Sequence, residues 1–230
     1  MGPYAKEELL ACVIARLLAG ARHAAIGASS PIPATGAFLH RQRDPAFRVS
    51  LQQRRAANPF TEGSRELFDL AGQGRIDVFF LGGAQIDGEA NINLVRANGS
   101  RFPGSFGSAF MYPAVPRVIL FREEHSRRVL VPKVEFVSAR GNPQALLTGK
   151  ALFTWQRDKR RFRLESVHPG HSAAEVLEHT GFDYDRDPAP PQTPLPSKDE
   201  LVLLRGDVRD VITENYPAFA EQVWPARAAR

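Results

Sequence analysis

Gln85, Asp87, Asn91 and Asn93 crowd the short stretch GGAQIDGEANIN, a carboxylate and three side-chain amides on a glycine-rich loop. One carboxylate and two amides make a poor cation set. Hydrogen bonds that lock the loop are the reading that suits Asp87, Asn91 and Asn93. The loop follows an apolar run, Val78–Leu81, short enough for a strand buried on both faces. Gly82 and Gly83 come next, where φ > 0 or the close approach of a ligand to the main chain becomes accessible. A second turn, Pro103-Gly104-Ser105-Phe106-Gly107, closes the stretch. A core strand feeding two such loops is how open α/β sheets build sites at strand carboxyl ends; two plain tight turns have the same spacing.

Other residues with chemistry are sparser. Six histidines are scattered without ligand spacing, so no metal site is expected. His168, before Pro169-Gly170, has acid–base chemistry available, yet no partner is visible in sequence and a turn role suits it better. Glu62, in Thr61-Glu62-Gly63, is a loop carboxylate. Cys12 stands alone, which excludes an intrachain disulfide, and lies in an apolar helical pattern that implies packing.

The elements that must position these groups read in order. Lys6–Ala19 is a helix with Leu9, Leu10, Val13, Ile14, Leu17 and Leu18 as one broad stripe. Ala24–Ile26 is a short strand, GASSPIPATG a loop opening a helix near Ala34, and Phe47–Leu51 the next strand. Gln52–Gly63 is a polar loop. Ser64 is expected to cap a helix over Arg65–Gly72. Val115–Leu120 is a buried strand, Val129–Val131 an edge run demoted by Pro132, and Val134–Val137 alternates like a half-buried strand. Ala151–Thr154 and Arg161–Val167 form an antiparallel pair. Ser172 caps a helix through His179, with Gly181 as its stop. The five prolines between residues 187 and 197 make an extended connector to a last helix, Lys198–Thr213, and the tail after it is expected to fray.

Strands alternating with helices predict an α/β fold. The sheet is open and largely parallel, flanked by helices, with a small antiparallel pair toward the C-terminus. The 230 residues read as a single domain, at 43% hydrophobic and 24% charged content. A net charge of +5 is spread along the chain, and the patch Arg157–Arg163 suits anions such as the phosphates of coenzyme A. No aromatic–basic recognition motif points to nucleic acid. The N-terminal stretch has neither a basic leader ahead of its apolar run nor the length of a membrane span, so cytoplasm is the expected compartment.

Taken together, LGGAQIDGEANINLV, RFPGSFGSA and EHSRRVLVPKVEFVSARG resemble the β subunit of the class I CoA-transferases, the glutaconate type in particular. The likeness runs weakly back to the first helix and forward through SVHPGHSAAEVLEHTGFDYD to LRGDVRD. The resemblance implies an open α/β fold and a coenzyme A thioester as substrate, with no bound cofactor. It also implies an α-type partner subunit in a heterodimer or heterotetramer. It places CoA or substrate binding at Gly82, Gly83, Gln85, Asp87, Asn91, Asn93 and the Gly104, Ser105, Phe106, Gly107 turn, and matches His125 to the family's His-x-x-Arg-Arg segment.

Two departures stand out. The family's nucleophilic glutamate, which forms an enzyme–CoA thioester, is expected at the end of the Phe47–Leu51 strand. This chain has Leu51, then Gln52 and Gln53. Neither leucine nor an amide is a carboxylate, and Glu62 is the one nearby substitute. Phe106 stands where the family has glycine; it either narrows or lines an acyl pocket, or is a core aromatic beside a turn. Three functions follow from the resemblance: a CoA-transferase-family β subunit acting on an acyl-CoA, an acyl-CoA hydrolase or ring-cleaving subunit as in steroid catabolism, and a non-catalytic partner of an α-type subunit.

Overall fold

The computed structural model describes residues 4–54 and 60–225; residues 55–59 of the polar loop and 226–230 of the tail lie outside them. Among the described residues, strands β1 (His23–Ile26), β2 (Arg48–Leu51), β3 (Val78–Leu81), β8 (Arg117–Arg122), β9 (Ala145–Thr148), β10 (Ala151–Gln156) and β11 (Arg161–Val167) form a seven-stranded sheet. Their order is β11-β10-β9-β8-β3-β1-β2. β1–β2 and β8–β9 pair in parallel, β9–β10 and β10–β11 antiparallel. Two small antiparallel pairs, β4 (Gln85–Ile86) with β5 (Ile92–Asn93) and β6 (Arg96–Ala97) with β7 (Ser100–Arg101), carry the glycine-rich loops. This is the expected open α/β sheet, with an antiparallel C-terminal portion enlarged by β9, which local patterning does not reveal.

The chain divides into two compact units, Met1–Val78 with Leu195–Arg230, and Phe79–Pro194. In the first, α1 (Lys6–Leu17) is buried on nearly every side and packs on α2 (Pro31–Arg43). Glu8, 1% exposed, accepts from the amide of Ala5 at 2.8 Å and receives Arg205 on both oxygens at 2.8 Å, with Trp224 Nε1 at 3.0 Å. Glu200 likewise joins Arg16 and Arg43 at 3.1 and 3.2 Å. These two carboxylates fasten the C-terminal helices to α1 and α2. Cys12 is fully buried in α1, and desolvation pushes its thiol up to about 12, consistent with packing.

Several local expectations need correction. α3 (Ser64–Gly72) begins at Ser64 itself; Gly63, at φ 66°, precedes it and no side chain caps it. The last helix is not continuous. α6 (Lys198–Leu203) is capped by Ser197, which accepts from Glu200 N at 3.1 Å. It passes into a wide π-type turn, Leu204–Val208, where Gly206 leaves helical geometry (φ −106°, ψ −114°). α7 (Arg209–Asn215) completes the expected helical stretch, and a further helix, α8 (Pro217–Val223), stands in the tail that was expected to fray, whose last residues, 226–230, lie outside the described ones.

In the second unit, α4 (Ser108–Ala114) was unforeseen because Pro113 falls inside it; that proline sits in its last turn. α5 (Ala173–His179) starts as expected, Ser172 accepting from Glu175 N at 3.1 Å. Gly181 is no left-handed stop. Its amide donates to Leu130 O at 2.7 Å, and a Cβ there would sit 2.3 Å from that oxygen. The 187–197 segment is extended and lies on β11: Val167 N donates to Pro191 O at 3.0 Å and Thr193 N to Val167 O at 2.8 Å. Among the described residues no helix is long and apolar enough to cross a membrane.

Candidate functional site

The β4–β5 hairpin is held by side chains more than by its short ladder. Gln85 and Asn93 face each other across the pair, and Asn93 Nδ2 donates to Gln85 Oε1 at 2.8 Å. Gln85 Oε1 also accepts from Glu135 N at 3.0 Å, and Gln85 Nε2 donates to Glu135 Oε1 at 2.8 Å. Asn93 Oδ1 accepts from the amides of Val95 and Arg96 at 3.1 and 3.3 Å. Asp87, 2% exposed, is the hub of the connecting turn. Its Oδ1 accepts from Glu89 N at 3.1 Å and Asn91 N at 3.0 Å. Its Oδ2 accepts from Asn91 Nδ2 at 3.1 Å and Val134 N at 3.2 Å. A carboxylate taking several N–H donors is a strong local brace.

This network also explains why Val134–Val137 is not the strand its alternation suggested. The amides of Val134 and Glu135 donate to Asp87 and Gln85 side chains, which stand in for a partner strand. Val129–Val131, expected as an edge run, instead forms a single parallel bridge from Leu130 to Ile86.

Gly82 and Gly83 both keep negative φ, so left-handed backbone is not what they supply. Space is. A Cβ on Gly83 would lie 2.5 Å from Gln85 O. At the second turn positive φ does occur, at Gly104 (135°), Phe106 (42°) and Gly107 (63°). Phe106 keeps 58% of its surface exposed, so it is not a core aromatic.

Asp87, Glu89 and Asn91 border an open cleft of about 560 Å³, whose other walls include Lys133, Lys159, Arg160 and Arg161. Lys159 and Arg161 share Asp185, at 3.0 and 3.1 Å. Lys133 and Arg160 form no ion pair among the described residues. Glu135 and Phe136 border a separate cleft of about 610 Å³ with Arg96 and Arg101. The structure thus brings Asp87 and Asn91 to one cleft, and turns Gln85 and Asn93 inward. Gly104–Gly107 lines neither cleft. Glu135, bonded to Gln85, and Lys133, which shares the cleft with Asp87, are absent from the sequence-based candidates; nothing local marks them, since Glu135 lies 50 residues from Gln85 in the chain.

The remaining candidates lie elsewhere. Leu51 ends β2 and is 1% exposed. Gln52 donates its amide to Ile26 O at 3.0 Å, and its enclosed Nε2 meets no acceptor among the described residues. Glu62 lies in the exposed turn before α3, 3.5 Å from Arg65, with a 65% exposed side chain. His125 and His168 are buried, at 5% and 1% exposure. His125 lies between two hydroxyls, its Nε2 3.0 Å from Thr180 Oγ1 and its Nδ1 2.8 Å from Thr148 Oγ1, and each hydroxyl also reaches a carbonyl, Val176 O at 2.7 Å and Ala151 O at 3.0 Å. His168 Nε2–H donates to Thr148 O at 3.0 Å, and its Nδ1 meets Thr193 Oγ1 at 2.8 Å. Burial holds both imidazoles neutral, with pKa values lowered to about 4. The His168 tautomer follows from its backbone carbonyl partner. Among the described residues no group of three or more His, Cys, Asp or Glu is placed to hold a metal ion.

The sequence is 28% identical over 153 residues to the B-type subunit of 3-oxoadipate CoA-transferase from Pseudomonas knackmussii, covering 57% of this chain and 58% of that one. It is also 28% identical over 130 residues to the B-type subunit of glutaconate CoA-transferase from Acidaminococcus fermentans, covering 47% and 48%. This chain is related to the B-type subunits of CoA-transferases. No family model matches it. The chain spans about half the length of the curated relatives it matches. The crystal structure of the Acidaminococcus glutaconate enzyme shares the fold, with TM-score 0.75 over 89% of this chain and 95% of that one at 19% identity. A crystal structure of the decarboxylase AibA/AibB superposes with TM-score 0.75 at 25% identity, over 90% of this chain and 99% of that one. The fold therefore also carries a decarboxylase.

Proposed function

We propose that this chain is the B-type subunit of a CoA-transferase-like enzyme, acting on an acyl-CoA thioester in a heteromer with an α-type chain. The observation that carries the reading is the braced Asp87–Asn91 turn beside a cleft rimmed by Lys133, Lys159, Arg160 and Arg161. A CoA thioester presents phosphates to such cations and a carbonyl to a rigid, amide-rich wall. Neighbours named as B-type subunits or as an A/B pair support a partner chain. Transfer through a glutamyl–CoA thioester needs a carboxylate, drawn from Glu62 or from the partner.

A second reading is favoured by one observation: the end of β2 offers Leu51 and Gln52 and no carboxylate. Hydrolysis or ring cleavage of an acyl-CoA requires no such group on this chain. The experiment is to incubate the chain, alone and with an α-type partner, with an acyl-CoA panel, with and without acceptor carboxylates. Free CoA and thioesters are followed by mass spectrometry, with borohydride trapping of any adduct. Acceptor-dependent exchange supports transfer, and an adduct on Glu62 assigns its nucleophile. Acceptor-independent release of CoA or an opened product without adduct supports the second reading. No turnover in any combination refutes both and leaves a non-catalytic partner role.

A further inference from the structure

A third cleft, of about 440 Å³, lies wholly within the first unit, at the amino-terminal ends of β1 and β2. Leu51 and Gln52 stand at the other end of β2, so the proposed acyl-CoA chemistry does not use it. Its lining includes Arg41, Arg48 and Arg75, delivered by α2, β2 and the segment before β3, and among the described residues no carboxylate. Several cations of this unit are paired: Arg22 with Asp77, Arg43 with Glu200, Arg65 with Glu62. Arg41, Arg48 and Arg75 have no ion pair among the described residues.

The Arg41 guanidinium is anchored, and Arg48 and Arg75 project exposed side chains from fixed backbone. Arg41 lies 4.6 Å over the Phe38 ring. Arg48 N donates to Arg22 O at 2.9 Å, and Arg75 N to Leu70 O at 2.9 Å. At the base of the cleft His23 and Ser50 are 6% and 8% exposed. His23 Nδ1–H donates to Arg75 O at 2.8 Å, so its Nε2 accepts from Ser50 Oγ–H at 2.8 Å. Burial, and then Arg54, lower the Arg41 pKa; burial lowers that of His23 against the Arg75 carbonyl bond, with Arg48 and Arg75 adding to the lowering and Asp77 opposing it. Three guanidinium forks border one cleft whose lining holds no carboxylate among the described residues; they suit a multiply charged tetrahedral oxyanion.

We propose that this cleft binds a multiply charged phosphoryl anion through Arg41, Arg48 and Arg75. Free phosphate or pyrophosphate and the phosphates of a nucleotide share that chemistry. The test is isothermal titration of the full chain with pyrophosphate at constant ionic strength. Saturable binding is expected, weakened at least tenfold in Arg48→Ala and in Arg75→Ala, and several-fold in Arg48→Lys, which keeps the charge and loses the fork. Arg140→Ala, an exposed arginine elsewhere, should bind as the parent does. Thermal melts without ligand show that the variants fold. Adenosine 3′,5′-bisphosphate in competition separates the sources: displacement of pyrophosphate at lower concentration identifies a nucleotide, and failure to displace it a free phosphate. No saturable binding, or equal affinity in the parent and both alanine variants, overturns the proposal. Lys133→Ala and Arg160→Ala should leave pyrophosphate binding unchanged, so this site and the acyl-CoA reading fail separately.

Discussion

Acidification should unfold this protein through His125 and His168 before its carboxylates protonate. Both imidazoles are buried and neutral, with folded-state pKa values near 4 against an ordinary 6.5. The folded state therefore binds fewer protons than the unfolded one. The stabilisation of the neutral pair is complete above about pH 6.5, falls as pH drops through that value, and is exhausted near pH 4. At pH 5 each histidine costs about 2 kcal/mol relative to pH 8, and the pair about 4, from about 1.4 kcal/mol per pH unit. Glu175 does not confuse this window, since Lys150 and His171 hold it down to about 2. The assay is urea unfolding followed by tryptophan fluorescence at half-unit pH intervals from 8 to 4.5. His168→Gln should lower stability at pH 8, because Thr193 and Thr148 O lose their imidazole partner. It should also remove about half of what this pair contributes to the loss between pH 8 and 5, to which His23, likewise lowered by burial, adds its own share. An unchanged pH slope in His168→Gln and His125→Gln would refute the assignment, since the lost stability would then belong to other groups.

Three further outcomes follow from the same geometry. Asp87→Ala strands the amides of Glu89, Asn91 and Val134; it should cost about 3 kcal/mol or more in urea unfolding and raise exchange at those amides by hydrogen-exchange mass spectrometry. Glu8→Ala leaves Arg205 and Trp224 Nε1 without their shared acceptor. A loss of about 2–4 kcal/mol is expected, with faster proteolytic cleavage in the Leu204–Val208 turn; intact resistance there would show that the clasp does not hold the C-terminal helices. Lys133→Ala with Arg160→Ala should raise KM for an acyl-CoA about tenfold at constant melting temperature, because both side chains are exposed.

Much of this architecture was open to reading from sequence, because periodicity and turn chemistry act locally. The apolar stripe of α1, the run Val78–Leu81 and the Ser172 cap each needed only neighbours in the chain, and each stands where it was expected. The ordered glycine-rich motifs carried the family resemblance for the same reason. What failed was the partnering of distant groups. Val134–Val137 alternates as a strand should, but its amides go to Gln85 and Asp87. Gly181 looks like a helix stop and is a contact with Leu130. No spacing shows that Glu8 meets Arg205, or that three arginines with different neighbours in the chain converge on His23 and Ser50. Residue type and periodicity determined which segments became helix or strand; only tertiary packing decided which polar groups lost water together, and so which carboxylates became braces and which cations were left facing a cleft.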